Sequence, residues 1–377
     1  MTLIYFSPVK WNSFAQRPHK FVDWHHKRYD GEVVWVDPYP TRLPKLNDLL
    51  RMSSRKRASG VQQHSPPWLR VLKPKSLPVE PLYGIRAINL LLWRKLIPQL
   101  LTYTEKEPCV VVVAKPSILA LTFLKQNNSA LVVYDAMDDF HYFYRGLSKL
   151  SMRKRDLDLV ARAHLILASS SVIYDKYSRL RERVEYVPNA FDSRMIKSDG
   201  QFGIATEKAV IGYIGTIGQW FDWSLVINLA KGNPNVYVKI VGPVFKSPPV
   251  GLPKNVMVLP SVNHQEAIEI MRSFSVGLIP FIPNDLTASV DPIKYYEYRA
   301  LGLPILTTAF GEMADRISEE GVFQLDDMSN MRASVEAAIK FKIPAASLAV
   351  FRKENNWEAR FSAIEVFGGQ GTPSHAS

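Results

Sequence analysis

The stretch DPIKYYEYRALGLP, residues 291–304, spaces Asp291, Lys294 and Glu297 three apart and stops at Leu301-Gly302 before an apolar run. Residues three or four apart share a helix face, so both signs of charge are expected to aim at one spot. Positive charge suits phosphate, and a fixed carboxylate suits vicinal hydroxyls. Together they suit a nucleotide with its ribose, and so an enzyme that handles nucleotide-linked sugars. The plainer account is an exposed helix face ending in a glycine cap. Against it, Asp291-Pro292 sets an acid at the helix's positive end, and the run Pro280–Asn284 must lead from a strand into this helix.

A second cluster lies eighty residues upstream. In VIGYIGTIGQWFDW, residues 210–223, Gly212, Gly215 and Gly218 fall between an apolar strand and a helix. Bare backbone N–H groups beside a helix N-terminus cradle phosphate. The spacing is not the dinucleotide fingerprint, and no acidic residue ends a following strand as that fingerprint needs. A turn chosen only for packing competes with the phosphate reading.

The third cluster is VVYDAMDDF, residues 132–140, where a strand ends in Asp135, Asp138 and Asp139; His141 adjoins them and could serve as catalytic base or merely line the pocket. Crowded carboxylates repel, so at least one is expected to have a raised pKa suited to proton transfer. Helix capping by Asp138 or Asp139 is the structural alternative. No other histidine or carboxylate cluster completes a metal site. In WNSFAQRPHKFV, residues 11–22, Pro18 suits the first turn of a helix. Trp11 and Phe14 can stack on a sugar ring, and Arg17 can reach a phosphate.

These residues need a scaffold, and the apolar pattern supplies one. Strands are expected at Leu3–Phe6, Val33–Val36, Cys109–Ala114, Ala130–Tyr134 and Leu165–Ala168, with helices at Ser117–Gln126 and Lys149–Ala163 between them. A second alternating unit has strands at Val210–Ile214, Val236–Val241, Val256–Leu259, Val276–Pro280 and Ile305–Thr307, and helices at Asp222–Lys231 and Gln265–Phe274. Near-continuous apolar strands separated by helices imply α/β architecture with parallel sheets covered on both faces. Two doubly wound units are expected to leave a cleft between their strand carboxyl ends. The expected domains are 1–188 and 189–350. A helix within 351–367, carrying Trp357, Phe361 and Ile364 on one face, is expected to pack back on the first domain. Residues 368–377 read as a disordered tail. Residues 38–80, rich in proline and basic around Arg51–Arg57, read as a long insertion loop.

Composition narrows the partners. The 377 residues hold 47% apolar and 22% charged side chains, ordinary for a soluble globular chain of two domains. The longest apolar-rich segment, Ile85–Leu101, is interrupted by Arg86, Asn89, Arg94, Lys95, Pro98 and Gln99. It therefore falls short of the roughly 18–20 apolar residues a membrane span requires. The chain opens on a strand-like run without a basic-then-apolar leader, and its lone Cys109 permits no internal disulfide, so a cytosolic location is expected. Of the net +12, residues 1–200 carry 32 Lys+Arg against 18 Asp+Glu, or +14, and the remainder −2. Such asymmetry suits an anionic partner of the first half: a phosphate-linked substrate or an anionic membrane face. Nucleic acid is the other candidate, but no RNA- or DNA-reading motif is present.

Taken together, these residues resemble the GT-B glycosyltransferases, in particular the retaining bacterial group called glycosyltransferase family 4. EYVPNAFD (185–192), the glycine loop, VKIVGPV (238–244), NVMVLPSV (255–262), VGLIPF (276–281) and DPIKYYEYRALGLPILTT are similar to that family's successive motifs. The N-terminal W…RP segment and the strand ending in D-x-x-D-D-F resemble its polysaccharide-assembly members. The resemblance implies a metal-independent, retaining sugar transfer with no cofactor beyond a nucleoside-diphosphate sugar as donor substrate. Glu297 would hold the ribose hydroxyls and Lys294 the diphosphate. Gly215 and Thr216 would meet the phosphates through their N–H groups, and Pro260, Ser261 and Val262 would line the base. Asp138 stands about where the family has a histidine facing the anomeric carbon, with Asp135 as the other candidate base if the enzyme inverts. Trp11, Arg17 and Asp139 would lie on the acceptor side, where a glycan or lipid-linked acceptor binds on the cytoplasmic face of the inner membrane, and domain closure would exclude water. The chain departs from the family in two places. Ser289 replaces the first of its two glutamates eight apart, and Gln219–Asp222 replaces the basic residue after the glycine loop. An epimerase or phosphorylase on the same scaffold, or a basic nucleic-acid binder, are the alternatives.

Overall fold

The computed structural model describes residues 1–40, 65–78, 83–105, 108–127, 130–196, 208–325 and 328–368. The chain divides into two compact units: Met1–Ala168 with Ile173–Glu185, and Ser169–Val172 with Tyr186–Ser377.

In the first unit, β1 (Thr2–Phe6) is followed by α1 (Arg17–Tyr29), β2 (Val33–Val36), β3 (Leu69–Leu72), α2 (Tyr83–Leu92), α3 (Leu96–Glu105) and β4 (Cys109–Val113). Then come α4 (Ile118–Leu124), β5 (Leu131–Ala136), a 3-10 turn (Phe140–Phe143), α5 (Gly146–Val160), β6 (Leu165–Ala168), α6 (Ser171–Ser178) and β7 (Val184–Tyr186). The seven strands lie in the order β3-β2-β1-β4-β5-β6-β7, paired in parallel from β3 through β6. Central strands such as CVVVV are buried along their length, whereas the edge strand β3 is buried only at Leu69. Helices covering both faces of a parallel sheet account for that contrast. Strand β3 interrupts the expected loop 38–80, and its pairing with β2 from Val33↔Leu69 to Val36↔Leu72 makes it part of the sheet. The basic run Arg51–Arg57 lies outside the described residues.

In the second unit, β8 (Val210–Ile214), α7 (Trp223–Gly232), β9 (Tyr237–Val241), β10 (Val256–Leu259), α8 (His264–Arg272) and β11 (Val276–Ile279) precede α9 (Ile293–Ala300) and β12 (Ile305–Thr307). Next come α10 (Met313–Arg316), β13 (Val322–Gln324), α11 (Met328–Lys340), α12 (Ala345–Glu354), α13 (Trp357–Ser362) and α14 (Glu365–Gly368). The order β10-β9-β8-β11-β12-β13 repeats the doubly wound pattern of the first sheet. In such sheets ligands bind outside the strand carboxyl ends where the order reverses, here at the ends of β8 and β11. The helix starts are local: Asp222 caps α7 by accepting from Leu225 N–H at 3.0 Å, and Asn263 forms a reciprocal capping box with Glu266 at α8.

Instead of one helix over 355–366, the chain breaks at Ala363, yet Trp357, Phe361 and Ile364 are all buried. Phe191 bridges Asn356, and Trp357 N–H donates to Phe191 O at 3.2 Å, so these bonds tie the segment to the second unit. The expected tail beyond Gly368 lies outside the described residues. Among the described residues, no helix is long and apolar enough to cross a membrane.

Candidate active site

The second unit gathers its candidate residues at the reversal point of its sheet. Strand β8 ends at Ile214, and Gly215 turns away with a φ of 156°. A Cβ there would lie 2.8 Å from Tyr213 Oη and 3.7 Å from Lys294 Cε, so the glycine loop and α9 touch at Lys294. Gly242, ending β9, approaches closer still: a Cβ would fall 2.0 Å from Gly215 O. Only glycines permit this meeting of loops. Tyr213 Oη donates to Thr216 O at 2.8 Å and stiffens the turn.

Lys294 and Glu297 form an ion pair one helical turn apart, with Lys294 partly exposed. Tyr298, the next residue, is buried and accepts from Ile214 N–H at 3.2 Å, and its ring packs where Gly277 of β11 lacks a side chain. That bond fastens α9 to the last residue of β8, beside Gly215. Tyr298 thus positions the ion pair against the glycine loop. Tyr295, Tyr296 and Tyr298 carry no charge, which is why charge spacing does not reveal them.

Three expectations change here. Gly215 N–H donates to Val241 O at 2.9 Å, so it serves the sheet; among the described residues Thr216 N–H has no protein acceptor. Asp291 does not join Lys294 and Glu297. Its buried carboxylate accepts from Asn189 N–H at 2.6 Å, Arg316 Nη1 at 2.8 Å and Tyr296 Oη at 3.0 Å. Burial raises its pKa, against the pull of Arg316. It precedes the N-cap, Pro292, and joins α9 to α10 and the 189 loop. The third change concerns Pro260, Ser261 and Val262: the first two are exposed after β10, while Val262 packs toward the core.

In the first unit the three acids divide the work. Asp135 is fully buried at the end of β5 and accepts from Tyr5 Oη at 2.7 Å and Arg17 Nε at 2.8 Å. Both oxygens are engaged away from solvent, so neither Asp135 nor the equally buried Arg17 is placed to meet a substrate. Asp139 accepts from His141 Nδ1 at 2.6 Å and Lys176 Nζ at 3.0 Å. Lys176 also reaches Asp156 Oδ2 at 3.2 Å, and Asp156 accepts from Tyr134 and Tyr177. Asp138 is half-buried, and its carboxyl is pushed up to about 7 by burial first and then by Asp139 and Asp135, with Arg17 opposing. Neither acid caps the following turn through its side chain: Asp139 is the N-cap residue and makes no such bond.

Trp11 is a core residue. Its ring packs 5.2 Å from Trp35 and 5.1 Å from His19, and its backbone N–H donates to Asp37 Oδ1 at 2.9 Å. Phe14 is the exposed aromatic of that loop. A depression of about 550 Å³ is lined by Lys10, Asn12 and Lys73, and an adjoining one by Ser7 and Lys115. Each lysine follows the carboxyl end of a strand: β1, β3 and β4. Sequence reading missed this lysine set because its members lie in separate loops. Among the described residues no group of three or more His, Cys, Asp or Glu is arranged to hold a metal ion.

No family model matches the chain. It is 24% identical over 199 residues to a Bacillus subtilis (strain 168) protein described as a teichuronic acid biosynthesis glycosyltransferase, TuaH. The match covers 47% of this chain and 50% of TuaH, so it spans about half the length of that relative. Solved structures match at greater extent. Anabaena HepE, in complex with UDP and glucose, is 13% identical with a TM-score of 0.62 over 97% of this chain and 99% of its own. The lipopolysaccharide outer core galactosyltransferase WaaB is 10% identical with a TM-score of 0.59 over 98% and 99%. A trehalose-phosphate synthase (UDP-forming) from Burkholderia xenovorans gives 10%, 0.60, 98% and 100%. Over nearly its whole length the chain therefore has the GT-B fold of these glycosyltransferases.

Proposed function

We propose that the chain is a glycosyltransferase that moves a sugar from a nucleoside-diphosphate sugar to a hydroxyl of a glycan or lipid-linked acceptor in cell-surface polysaccharide synthesis. The observation that carries this reading is the contact of the Gly215 loop with the Lys294–Glu297 pair at the sheet's reversal point. The UDP bound in the HepE complex, the UDP-forming character of the Burkholderia xenovorans synthase and the likeness to the glycosyltransferase TuaH support it.

In this reading Lys294 leaves Glu297 to meet the diphosphate, Thr216 N–H donates to a phosphate oxygen, and Glu297 accepts from the ribose hydroxyls. Pro260 and Ser261 flank the base. The bond from the anomeric carbon to the diphosphate oxygen breaks, and its electron pair leaves on the nucleoside diphosphate. Preorganised positive charge at that point is the usual largest contribution to such catalysis. The acceptor oxygen bonds to the same carbon and gives up its proton. We take the transfer to be metal-independent and retaining, with the proton passing to the departing diphosphate and ionised Asp138 accepting from a sugar hydroxyl. An inverting enzyme would instead send that proton to Asp138, and the anomer formed separates the two. The lysines following β1, β3 and β4 suit an acceptor bearing negative charge, and we place the reaction on the cytoplasmic face of the inner membrane.

The test is release of nucleoside diphosphate from a panel of UDP-, GDP- and dTDP-sugars with a lipid-linked glycan extract as acceptor. Transfer that requires the acceptor is expected. Donor conversion without any acceptor would instead indicate an epimerase.

A further inference from the structure

The glycine loop has no cation of its own. From Gly215 to Asp222 it reads GTIGQWFD, whose one charged side chain is an acid. Lys294 touches the loop but is paired with Glu297, and that pair is neutral as a unit. A nucleoside diphosphate gains negative charge as it departs, so a site of this kind needs further positive charge. Backbone donors supply part of it. Among the described residues the N–H groups of Thr216, Gly218, Gln219 and Trp220 have no protein acceptor. Successive free N–H groups make an anion-binding concavity, though each brings only a partial charge.

A full charge arrives from another loop. Beyond the ends of β8 and β9, Ile217 bridges Val244 in parallel, and Ile217 O accepts from Phe245 N–H at 2.8 Å and Lys246 N–H at 3.0 Å. Residues 243–246 therefore continue along the carboxyl edge of the sheet, beside the glycine loop. Trp223 Nε1 donates to Lys246 O at 3.1 Å and fixes the lysine's backbone. Its ammonium donates to Phe221 O at 3.0 Å, within the glycine loop itself. An ammonium has three donors, so others remain for a ligand. The side chain is half-buried, where a charge acts more strongly than in bulk water.

We propose that Lys246 is a second diphosphate-binding cation, acting with Lys294 and the free N–H groups of the glycine loop. The inference rests on the sugar-transfer reading and adds to it a residue from the loop after β9. Lys246 acts as a point charge: no bond to it forms or breaks, and it opposes the negative charge growing on the departing diphosphate. The competing role is a brace for Phe221 O, in which the hydrogen bond matters and the charge does not.

The experiment is calorimetric titration of the full chain with UDP, GDP, CDP and dTDP at several salt concentrations, using wild type, Lys246→Gln and Lys246→Arg. Glutamine can still donate a hydrogen bond but carries no charge. The nucleotide that wild type binds should bind Lys246→Gln about tenfold or more weakly, the loss expected for one hydrogen bond to a charged group. Its affinity should also depend less on salt, while Lys246→Arg binds more tightly than Lys246→Gln. A second measurement needs no variant: amine acylation of wild type, read by peptide mass spectrometry, should slow at Lys246 when the nucleotide is bound. Wild-type affinity in Lys246→Gln, equal losses in both variants, or an unchanged acylation rate would overturn the proposal and leave Lys294 and the sugar-transfer reading standing. Failure of wild type to bind any of the four nucleotides would overturn both.

Discussion

Asp135 and Asp138 sit three residues apart, yet one is closed off with Tyr5 and Arg17 while the other is left half-buried among like charges. The difference sets what each can do. A carboxyl pushed up to about 7 is shared between its two forms near neutral pH. If the ionised form serves transfer, the rate falls as pH drops through about 7, and Asp138→Asn loses both rate and that pH dependence. The stability effect runs the other way. The folded-state pKa lies above the unfolded one, so the folded chain binds the extra proton between about pH 4 and 7, and stability falls as pH rises through that window. Asp138→Asn is therefore expected to melt higher than wild type at pH 8, measured by thermal unfolding, and a lower melting point would contradict the assigned burial. Asp291→Ala is the contrasting case. It strands buried Arg316, so a loss of about 3–5 kcal/mol is expected in chemical denaturation. Motif spacing flagged Asp135 and Asp291 as site residues without revealing their structural bonds, because their partners Tyr5 and Arg316 come from distant parts of the chain.

Helix α9 works because of what holds its ends. Tyr298 binds Ile214 N–H, Asp291 binds the loops before and beyond, and Gly215 leaves room for Lys294. Gly215→Ala would drive a methyl against Tyr213 Oη at a backbone angle that side chains resist, costing about 1–3 kcal/mol. Donor affinity should fall further than stability, and calorimetric titration against melting temperature separates the two. Lys294→Ala and Glu297→Ala should each lower transfer at least about a hundredfold. The fold should be kept, since a partly exposed pair contributes at most about 1 kcal/mol. The strands around this helix were legible: Val210–Ile214, Val256–Leu259 and Ile305–Thr307 form where apolar runs place them. The short strands β3, β7 and β13 were not, for three or four residues at a sheet edge carry too little apolar pattern to announce themselves. Trp11 and Arg17 were read as ligand-facing from residue type alone, and burial against Trp35 and Asp135 reassigns them to the core.

Across the whole chain, two doubly wound sheets of matching strand order account for the size, the alternating pattern and the absence of any need for disulfides. Part of the charge asymmetry acquires a site in the lysines after β1, β3 and β4. Composition alone revealed the excess but could not say where it lay, because exposure is decided by folding. The central claim is that the second unit holds a nucleoside diphosphate through Lys294. Thermal shift with UDP, GDP, CDP and dTDP measures it directly, since a ligand that binds only the folded chain raises its melting temperature. One of the four is expected to raise the melting temperature of wild type and to leave Lys294→Ala unmoved. No shift with any of them, or an equal shift in Lys294→Ala, would contradict the claim.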